Sequence, residues 1–303
     1  MTRYAFIGLG NMGLPMVKNL LGAGHQVQVF DLDAGSVEAA SRLGAMGSES
    51  LSDAVMGADA IITMLPAGPH VRSVYQQLFE LVDDKTLLLD CSTVDIDTSL
   101  WCHEESRKLG LRFVDAPVSG GISGAEQATL AFMIGGQAEH VEQARTYVEP
   151  MAGKTFAAGG PTTGTAAKIA NNLMVHINLL ANSEGSQLAA RLGLDPKVFH
   201  DIVSASSGRS WAQQVWYPVP NILETSASNR NFDAVFRADL SYKDLGLALD
   251  AAEQHSLHMP ATELVHTQMA DLRAEGYGHK DCTLIAKYVD PDGNLEGYTP
   301  EPA

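Results

Sequence analysis

Over its first half the chain places short apolar runs between stretches of helical periodicity, and this alternation leaves few folds open. Tyr4-Ala5-Phe6-Ile7 stops at glycine and Val27-Gln28-Val29-Phe30 at Asp31. A run over 60–65 stops at Pro66, Leu87-Leu88-Leu89 at Asp90, Arg112-Phe113-Val114 at Asp115, and a run over 130–134 at Gly135-Gly136. Helical patterns, such as 12–23 and 36–43, lie between most of them. Runs this short and this apolar read as strands buried on both faces, joined by crossover helices. Residues 1–163 are therefore expected to form an α/β domain, a doubly wound and mostly parallel sheet.

The pattern changes after about residue 160. Ala166, Ile169, Ala170, Leu173, Ile177, Leu180 and Leu188 recur at helical spacing, no proline intervenes, and Gly193 follows where such a helix would stop. One long helix over 164–192 is predicted, followed by helices over 196–205, 238–255 and 260–275. Residues 164–303 are thus expected to form an all-α domain joined to the first by the long helix. A chain of 303 residues suits two domains. The tail after Asp290, rich in proline, glycine and acid, is expected to be poorly ordered.

A formal net charge of −16 disfavours nucleic acid and anionic membrane surfaces as partners. It does not disfavour a small anion, because one basic pocket outweighs a distant acidic surface. Cys91, Cys102 and Cys282 are odd in number and have no C-x-x-C spacing, so neither a disulfide framework nor a zinc ribbon is expected. A reducing, cytoplasmic setting fits them. Neither a signal peptide nor a membrane-spanning run is read in the chain. The ten histidines are scattered, and no metal site is predicted.

Gly8-Leu9-Gly10-Asn11-Met12-Gly13 matches G-x-G-x-x-G directly after the first strand and at the start of a helix. Gly8 makes the tight turn, Gly10 lets backbone approach a pyrophosphate, and Gly13 lets helix and strand pack closely. The helix N-terminus offers its N–H groups, with those of Asn11 and Met12, to the phosphates. Asp31 follows Gly8 by 23 positions, at the end of the second strand. A carboxylate there can accept both ribose hydroxyls and repel a 2′-phosphate, which selects NAD over NADP. Asp33 lies near enough to share that role. Leu65-Pro66 and Thr93 sit at the C-terminal ends of later strands, where open α/β sheets bind ligands, and are candidate cofactor contacts.

Other residues point to chemistry. Ser119-Gly120-Gly121 can turn its N–H groups into a nest for a carboxylate. Lys168 is flanked by Ala166, Ala167, Ile169 and Ala170, and desolvation of an ammonium in such a setting favours the neutral amine that exchanges protons. Asn172, four residues on, shares its helix face and can hold a substrate hydroxyl or carboxylate. Asn171 is placed to orient the lysine instead. Phe236 and Leu240 are candidate walls for a nicotinamide. Trp211 and Trp216, in a stretch that reads as loop, either cap a substrate pocket or fill core. Lys243 and Asp244 are expected to begin a helix. Ser119 lacks the G-x-S-x-G of a serine hydrolase.

Four ordered motifs resemble the β-hydroxyacid dehydrogenases, and within them most closely the 3-hydroxyisobutyrate dehydrogenases. They are Phe6-Ile7-Gly8-Leu9-Gly10-Asn11-Met12-Gly13 with Pro15-Met16, Asp115-Ala116-Pro117-Val118-Ser119-Gly120-Gly121 with Gly124-Ala125, Gly164-Thr165-Ala166-Ala167-Lys168-Ile169-Ala170-Asn171-Asn172, and Lys243-Asp244-Leu245-Gly246. The resemblance covers nearly the whole chain. It implies a Rossmann-type domain, NAD, and Lys168 as the general acid/base of an alcohol oxidation. It implies Ser119, Gly120 and Gly121 as carboxylate binders, and Lys243 reaching the cofactor or active site with Asp244 in support. It also implies a homodimer or homotetramer paired through the all-α domain. The substrate it implies first is 3-hydroxyisobutyrate, oxidised to methylmalonate semialdehyde. Serine, the glycerate/tartronate semialdehyde pair and sulfolactaldehyde are alternatives of the same class, the last disfavoured by the Ser119-Gly120-Gly121 run. An imine reductase is disfavoured by Lys168, and a non-catalytic NAD sensor has no need of Lys168 and Asn172 together.

Overall fold

A computed structural model describes residues 1–300. Nine strands form one sheet: β1 (Arg3–Ile7), β2 (Gln26–Phe30), β3 (Met46–Gly47), β4 (Ala60–Thr63), β5 (Leu87–Asp90), β6 (Arg112–Asp115), β7 (Val118–Ser119), β8 (Leu130–Gly136) and β9 (Ala152–Gly159). Between them run α1 (Gly13–Gly22), α2 (Ala34–Arg42), α3 (Leu51–Val55), α4 (Gly68–Leu81), α5 (Ile96–Lys108), α6 (Gly121–Glu126) and α7 (Ala138–Val148). The strand order is β3-β2-β1-β4-β5-β6-β8-β7, with β9 pairing β8. The first six strands are mutually parallel, while β8 runs antiparallel to both β6 and β7. This is the mostly parallel, doubly wound sheet the alternation predicts, with its order reversing between β1 and β4.

The pleat explains why whole strands are apolar. Tyr4, Phe6, Val27, Val29 and Ile62 face one layer with Met16, Val17 and Leu20 of α1. Ala5, Ile7, Ile61 and Leu88 face the other with Val71, Tyr75 and Leu78 of α4. Each fully buried Leu, Ile or Phe contributes roughly 1.5–3 kcal/mol, so both faces select for apolar residues. Local chemistry starts the helices. Asp33 caps α2, Ser50 caps α3 and Asp95 caps α5, each accepting a first-turn backbone N–H.

The remaining helices are α8 (Thr163–Arg191), α9 (Pro196–Ser204), α10 (Trp211–Val215), α11 (Ala238–Gln254) and α12 (Pro260–Ala274). The chain divides into two compact units, residues 1–168 and 169–303, so α8 belongs to both. It runs for 29 residues to Arg191, and the chain leaves the helical path two residues later at Gly193, whose φ of +87° favours glycine. The core of the second unit gathers Leu179, Phe232, Leu245, Val265, Met269, Leu272 and Ile285.

Several sequence expectations need correction here. Lys243 and Asp244 do not begin a helix: α11 starts at Ala238, and they fall in its second turn. Trp211 is not in a loop but opens α10, where Ser210 accepts the Gln213 N–H. Leu188 carries the helical period yet is 62% exposed. The tail is not loose up to Tyr298 and Thr299. Tyr298 packs edge-on against Phe232 and Tyr277, and the Thr299 N–H donates to Asn231 Oδ1 at 2.7 Å. Residues 301–303 lie outside the described residues. Among those described, no helix is long and apolar enough to cross a membrane, and no three His, Cys, Asp or Glu side chains cluster as metal ligands would.

Candidate active site

The glycine turn lies at the C-terminal end of β1, beside the point where the strand order reverses. There α/β sheets open a crevice for ligands. Gly8 has φ +97°, and a Cβ on it would lie 2.2 Å from the Met64 carbonyl oxygen, so only glycine fits. A Cβ on Gly13 would lie 2.0 Å from the Gly8 carbonyl oxygen, which is the close helix–strand packing the motif demands. Gly10 and Asn11 are exposed and Met12 half-buried, so the rim of the turn is open to solvent.

Asp31 and Asp33 separate by what their oxygens hold. Asp33 is the cap of α2, accepting the Ser36 hydroxyl at 2.7 Å and the N–H groups of Gly35 and Ser36. The Ser36 hydroxyl, then these N–H groups, hold its pKa below the usual carboxylate value. Asp31 instead accepts the Leu9 N–H at 2.6 Å on Oδ2 and the Asp33 N–H at 2.9 Å on Oδ1. Each oxygen keeps a further lone pair, and a carboxylate so placed can take a ribose diol. The glycine cradle and this carboxylate fit a dinucleotide.

Leu65, Pro66 and Thr93 follow β4 and β5 on the same side of the first unit; Leu65 and Thr93 are half-buried and Pro66 exposed. Ser119 ends β7. Gly120 and Gly121 have φ +130° and +64° and lead into α6, whose first-turn N–H groups have no acceptor within the helix. Lys168 is the sixth residue of α8 and is half-buried.

In the second unit a polar knot surrounds Asn172. Its Nδ2 donates to Asp244 Oδ2 at 2.6 Å, and Asp244 Oδ1 lies 3.3 Å from Lys243 Nζ. Asn171 Nδ2 donates to Asn172 Oδ1 at 3.3 Å. Asn172 and Asp244 are buried, with Lys243 at their edge. Phe236 stacks on Trp216 at 5.4 Å, and Trp216 meets Trp211 edge-on at 5.2 Å. The sequence reading missed His176. It is fully buried, donates from Nδ1 to the Asn172 carbonyl oxygen at 2.6 Å, and meets both Trp216 and Phe236 at 6.0 Å. Its one signal was a histidine four residues past Asn172 inside an apolar helical run. Asp115 does more than its place in the Asp115–Gly121 motif indicates. Its buried carboxylate accepts the N–H groups of Thr162 and Thr165 at 3.1 and 2.7 Å and pairs with His103 Nε2 at 2.7 Å, tethering the first turn of α8.

A parallel sheet reversing its order at a glycine turn, with a carboxylate at the end of the next strand, defines a class: dinucleotide-binding proteins. Comparison with known proteins narrows it. Residues 3–160 match the family described as the NAD binding domain of 6-phosphogluconate dehydrogenase, and residues 162–289 that described as NAD-binding of NADP-dependent 3-hydroxyisobutyrate dehydrogenase. An NAD-dependent L-serine dehydrogenase of Pseudomonas aeruginosa is 40% identical over 294 residues, covering 96% of this chain and 99% of the relative. A probable 3-hydroxyisobutyrate dehydrogenase of Mycobacterium tuberculosis is 41% identical over 287 residues, covering 94% and 96%. The solved structure of a Mycobacterium tuberculosis 3-hydroxyisobutyrate dehydrogenase with L-serine superposes with a TM-score of 0.88 at 37% identity, covering 95% of this chain and 99% of that one. The chain belongs to the β-hydroxyacid dehydrogenase family and is an NAD-dependent hydroxyacid dehydrogenase.

Proposed function

We propose that the chain oxidises a 3-hydroxy acid at its terminal alcohol, 3-hydroxyisobutyrate to methylmalonate semialdehyde first, with Lys168 as general acid/base. The observation that carries this reading is a half-buried lysine placed one turn after the tethered start of α8. NAD, when bound, would supply the hydride acceptor for the carbinol carbon. Lys168, as the amine, takes the hydroxyl proton during oxidation and returns it during reduction. The N–H groups around Ser119, Gly120 and Gly121 hold the carboxylate. Asn172 gives one amide hydrogen to Asp244 and keeps the other for the substrate. Trp211 closes on the substrate's apolar side. On the cofactor, Gly8, Gly10, Asn11, Met12 and Gly13 take the pyrophosphate and Asp31 the ribose. Leu65, Pro66, Thr93, Phe236 and Lys243 line the rest.

L-Serine is the second reading. It shares the 3-hydroxypropanoate frame and differs at C2, where an ammonium replaces a methyl group. Support comes from the Pseudomonas aeruginosa serine dehydrogenase and from the solved relative's pairing with L-serine. A panel of both acids with glycerate, assayed with NAD and with NADP, separates the readings by kcat/KM. A preference for serine above tenfold removes 3-hydroxyisobutyrate as the substrate. Lys168→Ala is expected to lower kcat by about 10²–10⁴-fold with NAD Kd unchanged. Wild-type turnover in that variant would remove the lysine's role.

Self-association through the helical unit is proposed as well. Met174, Leu188 and Leu192 of the α8 region and Val198 and Ile202 of α9 leave apolar side chains 48–78% exposed. Light scattering measures the mass. A monomer at micromolar concentration would count against the pairing.

A further inference from the structure

Behind the cofactor crevice lies a buried carboxylate that the hydride chemistry does not use. Asp90 ends β5 and is 4% exposed. Its Oδ1 accepts the Thr63 hydroxyl at 2.7 Å, the Ser92 hydroxyl at 2.6 Å and the Ser92 N–H at 3.2 Å. Because the Ser92 hydroxyl is committed as a donor to Asp90, its oxygen is left to accept, and it takes the Leu65 N–H at 2.9 Å. Leu65 in turn borders the dinucleotide turn. A Cβ built on Gly8 would meet Met64 oxygen at 2.2 Å and Leu65 Cδ2 at 3.2 Å, and the Met64 N–H donates to the Ile7 carbonyl at 2.9 Å. An unbroken relay therefore leads from Asp90 through Ser92 to the segment on which the glycine turn rests.

We propose that Asp90 is a positioning residue for NAD, acting through Ser92 on the Leu65 segment, and that the relay requires its carboxylate to be charged. This rests on the reading that the Leu65 segment lines the bound dinucleotide. On gaining a proton Asp90 exchanges charge-assisted bonds for weaker neutral ones, so Oδ1 holds the Ser92 hydroxyl less firmly, and with it the oxygen that accepts the Leu65 N–H. Desolvation pushes the Asp90 carboxyl up to about 6, against the lowering by its hydroxyl partners, so this exchange falls in an accessible pH range.

The titratable groups facing Asp90 are Tyr75, Cys91, Cys102 and Asp115. Tyr75 of α4 bonds the Thr63 hydroxyl at 3.1 Å, and burial drives its pKa up. Burial likewise drives up Cys91 beside it and Cys102 of α5, so all three stay neutral through the range. Asp115, in register on β6, is engaged by His103, Thr162 and Thr165.

The test is equilibrium binding of NAD to the full chain at pH 7.5 and pH 5, with thermal unfolding of each sample beside it. Wild type is expected to lose affinity at pH 5 by about three- to tenfold, the effect of one lost hydrogen bond. Asp90→Asn is expected to bind about that much more weakly at pH 7.5 and to lack the acid-side step. Ser92→Ala should bind weakly at both pH values, and Ser92→Thr, which keeps the hydroxyl, should restore wild-type affinity. Ser92→Ala binding NAD like wild type, or a full acid-side step in Asp90→Asn, would overturn the relay. Leu65→Asp tests the underlying reading separately. Unchanged NAD affinity in that variant overturns the placement of Leu65 at the dinucleotide, whereas weakened affinity beside a normal Ser92→Ala overturns only the relay.

Discussion

Asp31 Oδ2 accepts the Leu9 backbone N–H at 2.6 Å, so the carboxylate at the end of β2 and the glycine turn after β1 form one hydrogen-bonded unit. Asp31 fixes the turn, and on the proposed reading it also presents lone pairs to a ribose diol. Asp31→Ala removes both functions and the repulsion of a 2′-phosphate. NAD Kd is expected to rise about tenfold or more, with a smaller loss for NADP, so that the preference ratio narrows. Titration of the variant with both dinucleotides checks this, and an unchanged ratio would remove Asp31 as the discriminating residue.

Two glycines of the turn should fail in different ways. A methyl group on Gly8 collides with backbone at 2.2 Å, and φ +97° is itself costly for alanine. Gly8→Ala is therefore expected to lower the melting temperature as well as NAD binding. A Cβ on Gly10 meets nothing within 4 Å. Gly10→Ala should unfold like wild type yet bind NAD at least tenfold more weakly, because the methyl occupies space needed by the pyrophosphate. Equal melting-temperature losses in the two variants would refute this division.

The sheet was legible in the sequence because strands buried on both faces write themselves as continuous apolar runs. All six runs became strands. The strands missed carry no such record. β3 and β7 have two residues each, and β9 buries no side chain fully, its largest apolar residue, Phe156, being 51% exposed. The antiparallel setting of β8 was equally hidden, since an apolar run does not state its direction. Within the candidate site, the glycine turn was readable because backbone geometry restricts residue type at Gly8 and Gly13. Asp90, Asp115, Asp244 and His176 act through partners 27 to 72 positions away or through an aromatic cluster, and local patterning does not encode such pairings.

Asn172 depends on a partner from another helix. Asp244 is 3% exposed and holds both the Asn172 amide and the Lys243 ammonium. Asp244→Ala leaves a buried amide hydrogen and a lysine without this carboxylate. Breaking a buried pair costs about 3–5 kcal/mol, and because Lys243 keeps some solvent contact about 2–3 kcal/mol is expected here. Unfolding in denaturant measures it. Asp244→Asn keeps the shape and an acceptor for Asn172 and should recover most of the stability, whereas KM for the hydroxy acid is expected to rise in both variants because neither carries the charge that holds Lys243. Recovery of KM together with stability would show that Asp244 serves folding alone.

Asp90 also sets a direction for stability against pH. Its folded-state pKa is raised from 3.8 to about 6, mainly by desolvation, so the folded chain binds this proton more tightly than the unfolded chain does. The stabilisation is fully present below pH 4 and is lost as pH rises through about 6. Asp33, Asp201, Asp239 and Asp290 have lowered pKa values, so their opposing loss of stability sets in only at more acidic pH. Asp281, raised by desolvation, acts in the same direction as Asp90. Comparison of Asp90→Asn with wild type isolates the one carboxyl. The neutral variant should match or exceed wild-type stability at pH 7.5, and this advantage should shrink by about 2 kcal/mol on going to pH 4.5. Unfolding curves for both proteins at the two pH values supply the difference. A difference that stays constant would mean that Asp90 does not change its charge across this range, and the acid-side loss of NAD affinity would then need another cause.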